Sequence, residues 1–224
     1  MQAIIFDMDG VIVDTEIIDY DLQINYLKSK KPKLKSKDYS YFSELVGLSY
    51  NRLFSKMAEY LDYTESIESI KKEYTELEEK HHNEISYKNL FRKEMINLLE
   101  WAKSHNIKLA VVSSSTKKRI RNVLNECEIL DYFDLVISGE DFSESKPNPE
   151  IYITALDYLK LESSEVIVIE DSHYGIEASK NAFIKTIAYK EERMPVNQNR
   201  ADYILKDMSS ILSFIKKHIY AQDN

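Results

Sequence analysis

The sequence is most distinctive in the residues it uses sparingly. Its 224 residues include one cysteine, four prolines and only four glycines. The single cysteine, Cys127, excludes an intramolecular disulfide framework and is typical of a protein from a reducing compartment. Glycine this scarce should mark positions where the backbone needs a left-handed conformation or a close approach. These positions are Gly10, Gly47, Gly139 and Gly175.

Positive charge and long apolar runs are scarce as well. Lys and Arg number 30 against 38 Asp and Glu, which gives a formal net charge of -8 at pH 7. Nucleic-acid binding needs clustered cations that neutralise phosphates, so we expect no nucleic-acid partner. We find neither an apolar run of membrane-spanning length nor a signal peptide with a basic first segment. We therefore expect a cytoplasmic protein without a membrane partner.

Apolar segments of strand length recur along the chain and alternate with segments of helical periodicity. Near-continuous apolar strands that alternate with helices predict a parallel sheet covered on both faces, an α/β doubly wound fold. The predicted strands are 3–6, 107–112, 135–137, 166–169 and 184–188. The helices predicted between the later strands are 117–127, 149–158 and 174–181.

One long segment interrupts this alternation. Residues 16–86 contain no strong strand and are rich in Tyr, Lys and Glu. The first strand is thus followed by about 70 residues of helix, far more than a usual crossover needs. We predict a helical cap domain at 16–86 inserted into a core domain formed by 1–15 and 87–224, with the ligand site between them. A helix at 207–220 would close the core, followed by a frayed tail at 221–224.

Polar side chains follow four of the predicted strands at the points where they end. In open parallel sheets, ligands bind beyond the carboxyl ends of the strands, and those ends meet at one edge. We therefore expect these side chains to converge on a single site. They are Asp7 and Asp9 after the first strand, Ser113 and Ser114 after the second, Lys146 after the third, and Glu170 and Asp171 after the fourth.

The residue types in these clusters suit phosphoryl transfer, in which a catalyst must neutralise spread negative charge and align a nucleophile. Asp7 is the candidate nucleophile, because a carboxylate can form an aspartyl-phosphate intermediate. Asp9 is the candidate general acid toward the leaving oxygen and then general base toward water. The candidate ligands of the phosphate oxygens are Lys146, Ser113, Ser114 and the backbone at Gly10.

Two carboxylates that face a phosphate would repel it, so the site requires a cation. Carboxylate and carbonyl oxygens are the ligands that Mg²⁺ prefers. The candidate ligands are the side chains of Asp7 and Asp171, the backbone carbonyl of Asp9, and Glu170 either directly or through water.

Each cluster alone is more often structural than catalytic. A strand-end Asp pair commonly caps a loop or a helix, and the serines at 113–115 could cap the helix that begins near Thr116. Lys146 could be a solvated charge, and Glu170 with Asp171 could simply begin a helix. The occurrence of all four clusters, in order, at successive strand ends favours the catalytic interpretation.

Four segments resemble the motifs of the haloacid dehalogenase superfamily, in the subfamily IA branch that contains β-phosphoglucomutases and small-metabolite phosphatases. They are 7–11 with 14–16, 111–115, 145–149 and 168–172. The resemblance spans nearly the whole chain and implies a Rossmann-like core with an inserted helical cap, with Thr15 at the hinge. Asp9 argues for phosphoryl transfer, because the dehalogenases of the superfamily lack the second acid.

The resemblance leaves phosphatase and mutase as alternatives. Residues 45–50 resemble the β-phosphoglucomutase cap loop around Gly47, but Tyr50 stands where the mutases have an Arg that binds a distal phosphate. Asp19 stands where they have a His. We therefore expect a phosphatase that acts as a monomer on a small phosphorylated metabolite, with a sugar phosphate as the expected substrate class. A β-phosphoglucomutase is the alternative, and a catalytically inactive phosphate-binding or regulatory module is a further one.

Three further features are not assigned a function. The pair His81 and His82 lies in a charged segment and is interpreted as part of a solvated linker. His173 is interpreted as a partly exposed residue at a helix start. Phe183 occupies a position where relatives often have glycine, and the sequence offers no functional account of it.

Overall fold

The structure is a computed structural model that describes residues 1–48 and 50–218. The predicted tail at 221–224 therefore lies outside the described residues, as does Ser49 of the cap loop. The chain forms two compact units. The first, here called the α/β unit, contains Met1–Asp14, Tyr87–Glu191 and the chain from Asn197 onward. The second, here called the helical unit, contains Thr15–Ser86 and Glu192–Val196.

A six-stranded parallel sheet organises the α/β unit, with strand order β3-β2-β1-β4-β5-β6. The strands are β1 Ala3–Phe6, β2 Lys108–Ser113, β3 Leu135–Ser138, β4 Val166–Glu170, β5 Lys185–Tyr189 and β6 Tyr203–Leu205. The fold is the predicted Rossmann-like α/β fold with a parallel sheet and flanking helices.

The helices divide between the two units. Those of the helical unit are α1 Glu16–Lys30, α2 Tyr50–Tyr60 and α3 Ile67–Glu84. Those of the α/β unit are α4 Tyr87–Leu90, α5 Met95–Ser104, α6 Lys117–Glu126, α7 Glu150–Leu159, α8 His173–Asn181 and α9 Met208–His218. The described part of the chain contains no helix with both the length and the apolarity needed to cross a membrane.

Strand β1 lies between β2 and β4 and is buried along its whole length. Phe6 pairs with Val111 on one side and with Ile169 on the other. The residue that follows Phe6 therefore emerges in the middle of the carboxyl edge of the sheet, flanked by the ends of two neighbouring strands. Full burial of each large apolar side chain in such a strand stabilises the fold by about 1.5–3 kcal/mol.

The five predicted strands and the three helices predicted between them all form, with ends within one residue of the prediction. The closing helix, predicted at 207–220, begins at Met208. Strand β6 was missed. It has only three residues, none of them buried, so it lacks the continuous apolar run by which the other strands were recognised.

The helical unit has its own apolar core, which includes Leu27, Phe42 and Phe54. Met194 is buried in the same cluster. The sequence assigned residue 15 and the segment 192–196 to the core domain, whereas the structure groups Thr15 and Glu192–Val196 with the helical unit. The reason for the second difference is packing, because Met194 buries its side chain among the apolar residues of this unit.

The chain leaves the α/β unit after Asp14 and re-enters it at Tyr87. Within that unit, the segments next to these two points are hydrogen-bonded to each other. Val13 and Phe91 form an antiparallel bridge. The amide of Asp14 donates to the carbonyl of Leu90 at 2.9 Å, and the amide of Arg92 donates to the carbonyl of Ile12 at 3.1 Å. The loop that follows β1 is therefore anchored at its far end.

Candidate active site

Asp7, Lys146 and Glu170 form a buried chain of charges at the carboxyl edge of the sheet. Lys146 Nζ lies 2.6 Å from Asp7 Oδ1 and 2.6 Å from Glu170 Oε1. It also donates to the carbonyl of Val112 at 3.3 Å. Because Lys146 is only 6% exposed, its charge is neutralised by these two carboxylates rather than by water. It is not the solvated surface charge that an isolated lysine in a loop would suggest.

Glu170 is fully buried and is surrounded by donors. Its Oε1 accepts from Lys146 at 2.6 Å and from the Tyr152 hydroxyl at 3.0 Å. Its Oε2 accepts from the amides of Asp171 and Ser172 and from the Ser172 hydroxyl. These bonds fix the orientation of the carboxylate, and both of its oxygens are engaged by protein donors. Tyr152, from α7, was not recognised in the sequence.

Burial and neighbouring charges shift the pKa values of Asp7 and Lys146. Burial raises the pKa of Asp7 to about 7; the charge of Lys146 opposes this shift, and the charges of Glu170 and Asp9 add to it. Burial lowers the pKa of Lys146, but the charges of Asp7 and Glu170 outweigh that effect and hold it well above its usual range. Carboxylates thus outnumber cations at the point where Asp7 lies, and a further cation would relieve the imbalance.

Three carboxylates are placed so that they could bind a metal ion together. Asp7, Glu170 and Asp171 each offer an oxygen, and these atoms all lie within 4.8 Å of one another. All three residues are buried, and they follow or end the adjacent strands β1 and β4. A compact set of hard oxygen donors of this kind fits Mg²⁺.

Two of the four glycines make room for these carboxylates. A Cβ atom at Gly10 would lie 1.9 Å from Asp171 Oδ2, and one at Gly175 would lie 1.7 Å from Glu170 Oε1. Gly10 also has a φ of +77°, which a side chain rarely tolerates. The sparing use of glycine in the sequence therefore marks close approach at the site.

Asp9 is held by Arg119 in the first turn of α6 and by Ser115, which lies just before that helix. Arg119 Nη2 donates to Asp9 Oδ1 at 2.7 Å, and the Ser115 hydroxyl donates to Asp9 Oδ2 at 2.8 Å. Arg119 Nη1 lies 3.2 Å from Ser115 Oγ, so the three side chains close a ring of hydrogen bonds. Neither Ser115 nor Arg119 was singled out in the sequence as a site residue.

Arg92 fastens the loop after β1 from its other side. Its Nε donates to the carbonyl of Gly10 at 3.0 Å, and its Nη2 donates to Asp14 Oδ1 at 2.9 Å. Its Nη1 donates to the Tyr189 hydroxyl at 3.0 Å, with the guanidinium 4.0 Å from the centre of that ring. Arg92 was also missed, because it follows no predicted strand.

The predicted phosphate ligands after β2 differ in exposure. Ser113 is buried, and its Oγ accepts from the amide of Ser115 at 3.1 Å, which leaves the hydroxyl proton free to be donated. Ser114 is exposed. Its backbone is approached closely by Gly139, where a Cβ would lie 3.0 Å from Ser114 Cα.

The predicted cap residues lie in the helical unit. Thr15 is fully buried and precedes α1, at the point where the chain leaves the α/β unit. Gly47 has a φ of +71°. Tyr50 begins α2, stacks on Phe54 and donates its hydroxyl to Glu78 Oε2 at 2.7 Å.

The interpretation of His81 and His82 as a solvated linker was wrong. Both lie in the last turn of α3, and His82 Nε2 is 3.1 Å from Asp19 Oδ1. The side chains of His82 and Asp19 are only 10% and 12% exposed, because α3 packs against α1 in the helical unit. The charged composition of the segment concealed this inward-facing residue.

The other two unassigned residues have simple structural explanations. His173 is the first residue of α8, and its Nδ1 lies 3.2 Å from the carbonyl of Asn197. Phe183 has a φ of +60° and is 86% exposed. A left-handed backbone is what glycine would adopt most readily at this position, and the phenyl ring extends into solvent.

At the carboxyl edge of this α/β fold, buried carboxylates that follow or end β1 and β4 meet a buried lysine from the loop after β3. This arrangement is typical of enzymes that transfer phosphoryl groups. The model of the haloacid dehalogenase-like hydrolase family matches residues 4–189. The chain belongs to this family, as its four motifs predict.

Known relatives cover nearly all of the chain. The "Phosphorylated carbohydrates phosphatase" of Thermotoga maritima is 32% identical over 187 residues, 84% of each chain. The "Phosphoglycolate phosphatase" of Aquifex aeolicus is 27% identical over 223 residues, 98% of this chain and 99% of the relative. A crystal structure of beta-phosphoglucomutase from Clostridium difficile has a TM-score of 0.77 and 26% identity, and covers 100% of this chain and 96% of that one.

Proposed function

We propose that the protein is a Mg²⁺-dependent phosphatase that hydrolyses a small phosphorylated metabolite, a sugar phosphate, through an aspartyl-phosphate on Asp7. The observation that carries the proposal is the buried group in which Lys146 joins Asp7 to Glu170, with Asp171 alongside. A structural ion pair would need only one carboxylate for each lysine. The surplus of carboxylates is better explained by a site that accepts a metal ion and a phosphate.

The ligands proposed for Mg²⁺ are the side chains of Asp7 and Asp171 and the backbone carbonyl of Asp9. Glu170 is assigned to contact through water, because both of its oxygens already accept from protein donors. When bound, Mg²⁺ would neutralise phosphoryl oxygens and offset the charge of Asp7. Lys146 and the Ser113 hydroxyl would bind the remaining phosphoryl oxygens.

The chain's own residues account for both half-reactions. Asp7 attacks phosphorus while the bond to the leaving oxygen breaks, and Asp9 gives its proton to that oxygen. In the second half, Asp9 takes a proton from water, the water oxygen bonds to phosphorus, and the bond to Asp7 breaks. Phosphate is released, and both carboxyl groups return to their starting states.

Water is the proposed acceptor because two residues of the helical unit differ from those that the mutases carry at the corresponding positions. Tyr50, where the mutases have an Arg, donates its hydroxyl to the Glu78 carboxylate. Asp19, where they have a His, pairs with His82. A mutase must hold a second phosphate group, and Tyr50 carries no positive charge with which to bind one. The carbohydrate phosphatase among the relatives supports the same substrate class.

The test is a phosphate-release screen with Mg²⁺ over sugar phosphates, nucleotides and phosphoglycolate. We expect free phosphate from a few related sugar phosphates, reversible loss of activity with EDTA, and no turnover by Asp7→Asn. β-Glucose 1-phosphate with a trace of glucose 1,6-bisphosphate is included as a separate assay. Formation of glucose 6-phosphate without free phosphate would establish the mutase instead. Full activity of Asp7→Asn would remove Asp7 as the nucleophile.

A further inference from the structure

We propose that Arg119 is a positioning residue that, together with Ser115, sets the orientation of the Asp9 carboxylate for proton transfer. The inference rests on the proposed function, in which Asp9 is the general acid and base. Arg119 lies outside the four sequence motifs that carry the proposed function.

The hydrogen bonds from Arg119 and Ser115 hold the Asp9 carboxylate in one orientation. Arg119 reaches Oδ1 of Asp9 at 2.7 Å and Ser115 reaches Oδ2 at 2.8 Å, so each carboxylate oxygen has its own donor. Arg119 also donates to the Ser115 hydroxyl at 3.2 Å, which directs the proton of that hydroxyl toward Asp9. Two-point binding fixes a carboxylate plane more firmly than a single contact does.

Burial separates this pair from an ordinary surface ion pair. The side chains of Arg119 and Asp9 are 14% and 13% exposed. By comparison, Lys117 on the same helix pairs with Asp141, which lies beyond the end of β3, and these two side chains are 60% and 52% exposed. Exposed pairs are screened by water and are held loosely, whereas a shielded pair keeps one geometry.

The two donors are themselves held in place by the start of α6. Thr116 caps the helix by accepting from the amide of Arg119 at 3.2 Å. The carbonyl of Ser115 accepts from the Ser138 hydroxyl at 2.7 Å, and its amide donates to Ser113 Oγ at 3.1 Å. The ring is therefore built on the ends of β2 and β3, which also form the edge that carries the site.

Holding Asp9 in this way leaves it able to react. A carboxylate oxygen has about two lone-pair positions, so one protein donor does not saturate it. A general acid works only within hydrogen-bond reach of the atom it protonates, so loss of orientation should reduce the proton-transfer contribution specifically.

The test compares two aryl phosphates of similar shape under first-turnover conditions with enzyme in excess and Mg²⁺ present. p-Nitrophenyl phosphate has a leaving group that departs with little help, and phenyl phosphate has one that needs a proton. We expect Arg119→Gln to slow phenyl phosphate by about tenfold or more and p-nitrophenyl phosphate by about threefold or less. Arg119→Lys should recover part of the loss. Arg121→Gln, an exposed position on the same helix, is the matched control and should slow neither substrate.

A double-mutant cycle separates positioning from a structural role. If Arg119 acts through Asp9, adding Arg119→Gln to Asp9→Asn should cost little further activity. Ser115→Ala provides a second, smaller disturbance of the same ring. Equal slowing of both substrates, or a full additional loss in the Asp9→Asn background, would overturn the proposal. A rise in KM alone would make Arg119 a substrate-binding residue instead. A wild-type enzyme that releases no phosphate from any ester would instead refute the proposed function itself.

Discussion

Lys146 Nζ lies 2.6 Å from Asp7 Oδ1, although 139 positions separate the two residues in the chain. The loop after β3 carries the lysine over the end of β1, where it is shielded from water. Both residues belong to the candidate site, and the same contact also stabilises the α/β unit.

Removal of Lys146 should therefore cost stability as well as activity. We expect Lys146→Met to lower the free energy of unfolding by about 3–5 kcal/mol, because it leaves buried carboxylates without their cation. Urea denaturation of the metal-free protein measures this change. Lys117→Met removes an exposed ion pair and should leave the midpoint unaltered. Equal midpoints for Lys146→Met and wild type would contradict the burial argument.

Magnesium binding should depend on pH through Asp7. Its pKa is raised to about 7, so below that pH most metal-free molecules carry a protonated Asp7, and Mg²⁺ must displace the proton. We expect the affinity to rise by about tenfold per pH unit below this value and to level off above it. Calorimetry in buffers of different ionisation enthalpy would detect the released proton. An affinity independent of pH would refute the raised pKa.

The raised pKa of Asp7 also makes the stability of the folded protein depend on pH. The folded-state pKa of Asp7 lies above its ordinary value of 3.8. Asp7 therefore favours the folded state most strongly at low pH, and this contribution is lost as the pH rises through about 7. Added Mg²⁺ should restore stability above that pH, where the carboxylate is charged.

Gly175→Ala should damage the site without changing any charged residue. The added Cβ would lie 1.7 Å from Glu170 Oε1, so the carboxylate or α8 has to move. We expect a loss of about tenfold or more in turnover and weaker Mg²⁺ binding, since small displacements of positioned groups cost much rate. Gly139→Ala is the comparison, because its Cβ would meet the Ser114 backbone at 3.0 Å, a much milder overlap than the 1.7 Å at Gly175. An equal effect of the two substitutions would argue against the steric account.

Cys127 should be unreactive in the folded protein. It is 7% exposed, and burial raises the pKa of its thiol to about 12. Since the thiolate is the reactive form, a disulfide reagent such as DTNB should fail to label native protein at about pH 8. Labelling should go to completion in denaturant. Rapid labelling of the native protein would show that α6 opens readily near its end.

The sequence by itself determined the architecture of the α/β unit and identified most of the residues of the candidate site. Hydrophobic periodicity and apolar runs are local properties of the sequence. The ends of β1 and its neighbouring strands could therefore be predicted to within one residue. Once the strands were known, parallel topology required the groups after Phe6 and Ile169 to meet at one edge. The scarcity of glycine also pointed to Gly10 and Gly175.

Only the tertiary structure decided which side chains support those groups. Arg119 reaches Asp9 across 110 positions of chain, and Arg92 reaches Gly10 across 82. Long flexible side chains carry no periodic signal, and their partners depend on how α6 and the loop after β1 pack together. The placement of Met194 in the helical unit has the same origin, because a single buried side chain fixes it. Local patterns encode elements, whereas the contacts that orient a site arise when distant elements are packed against one another.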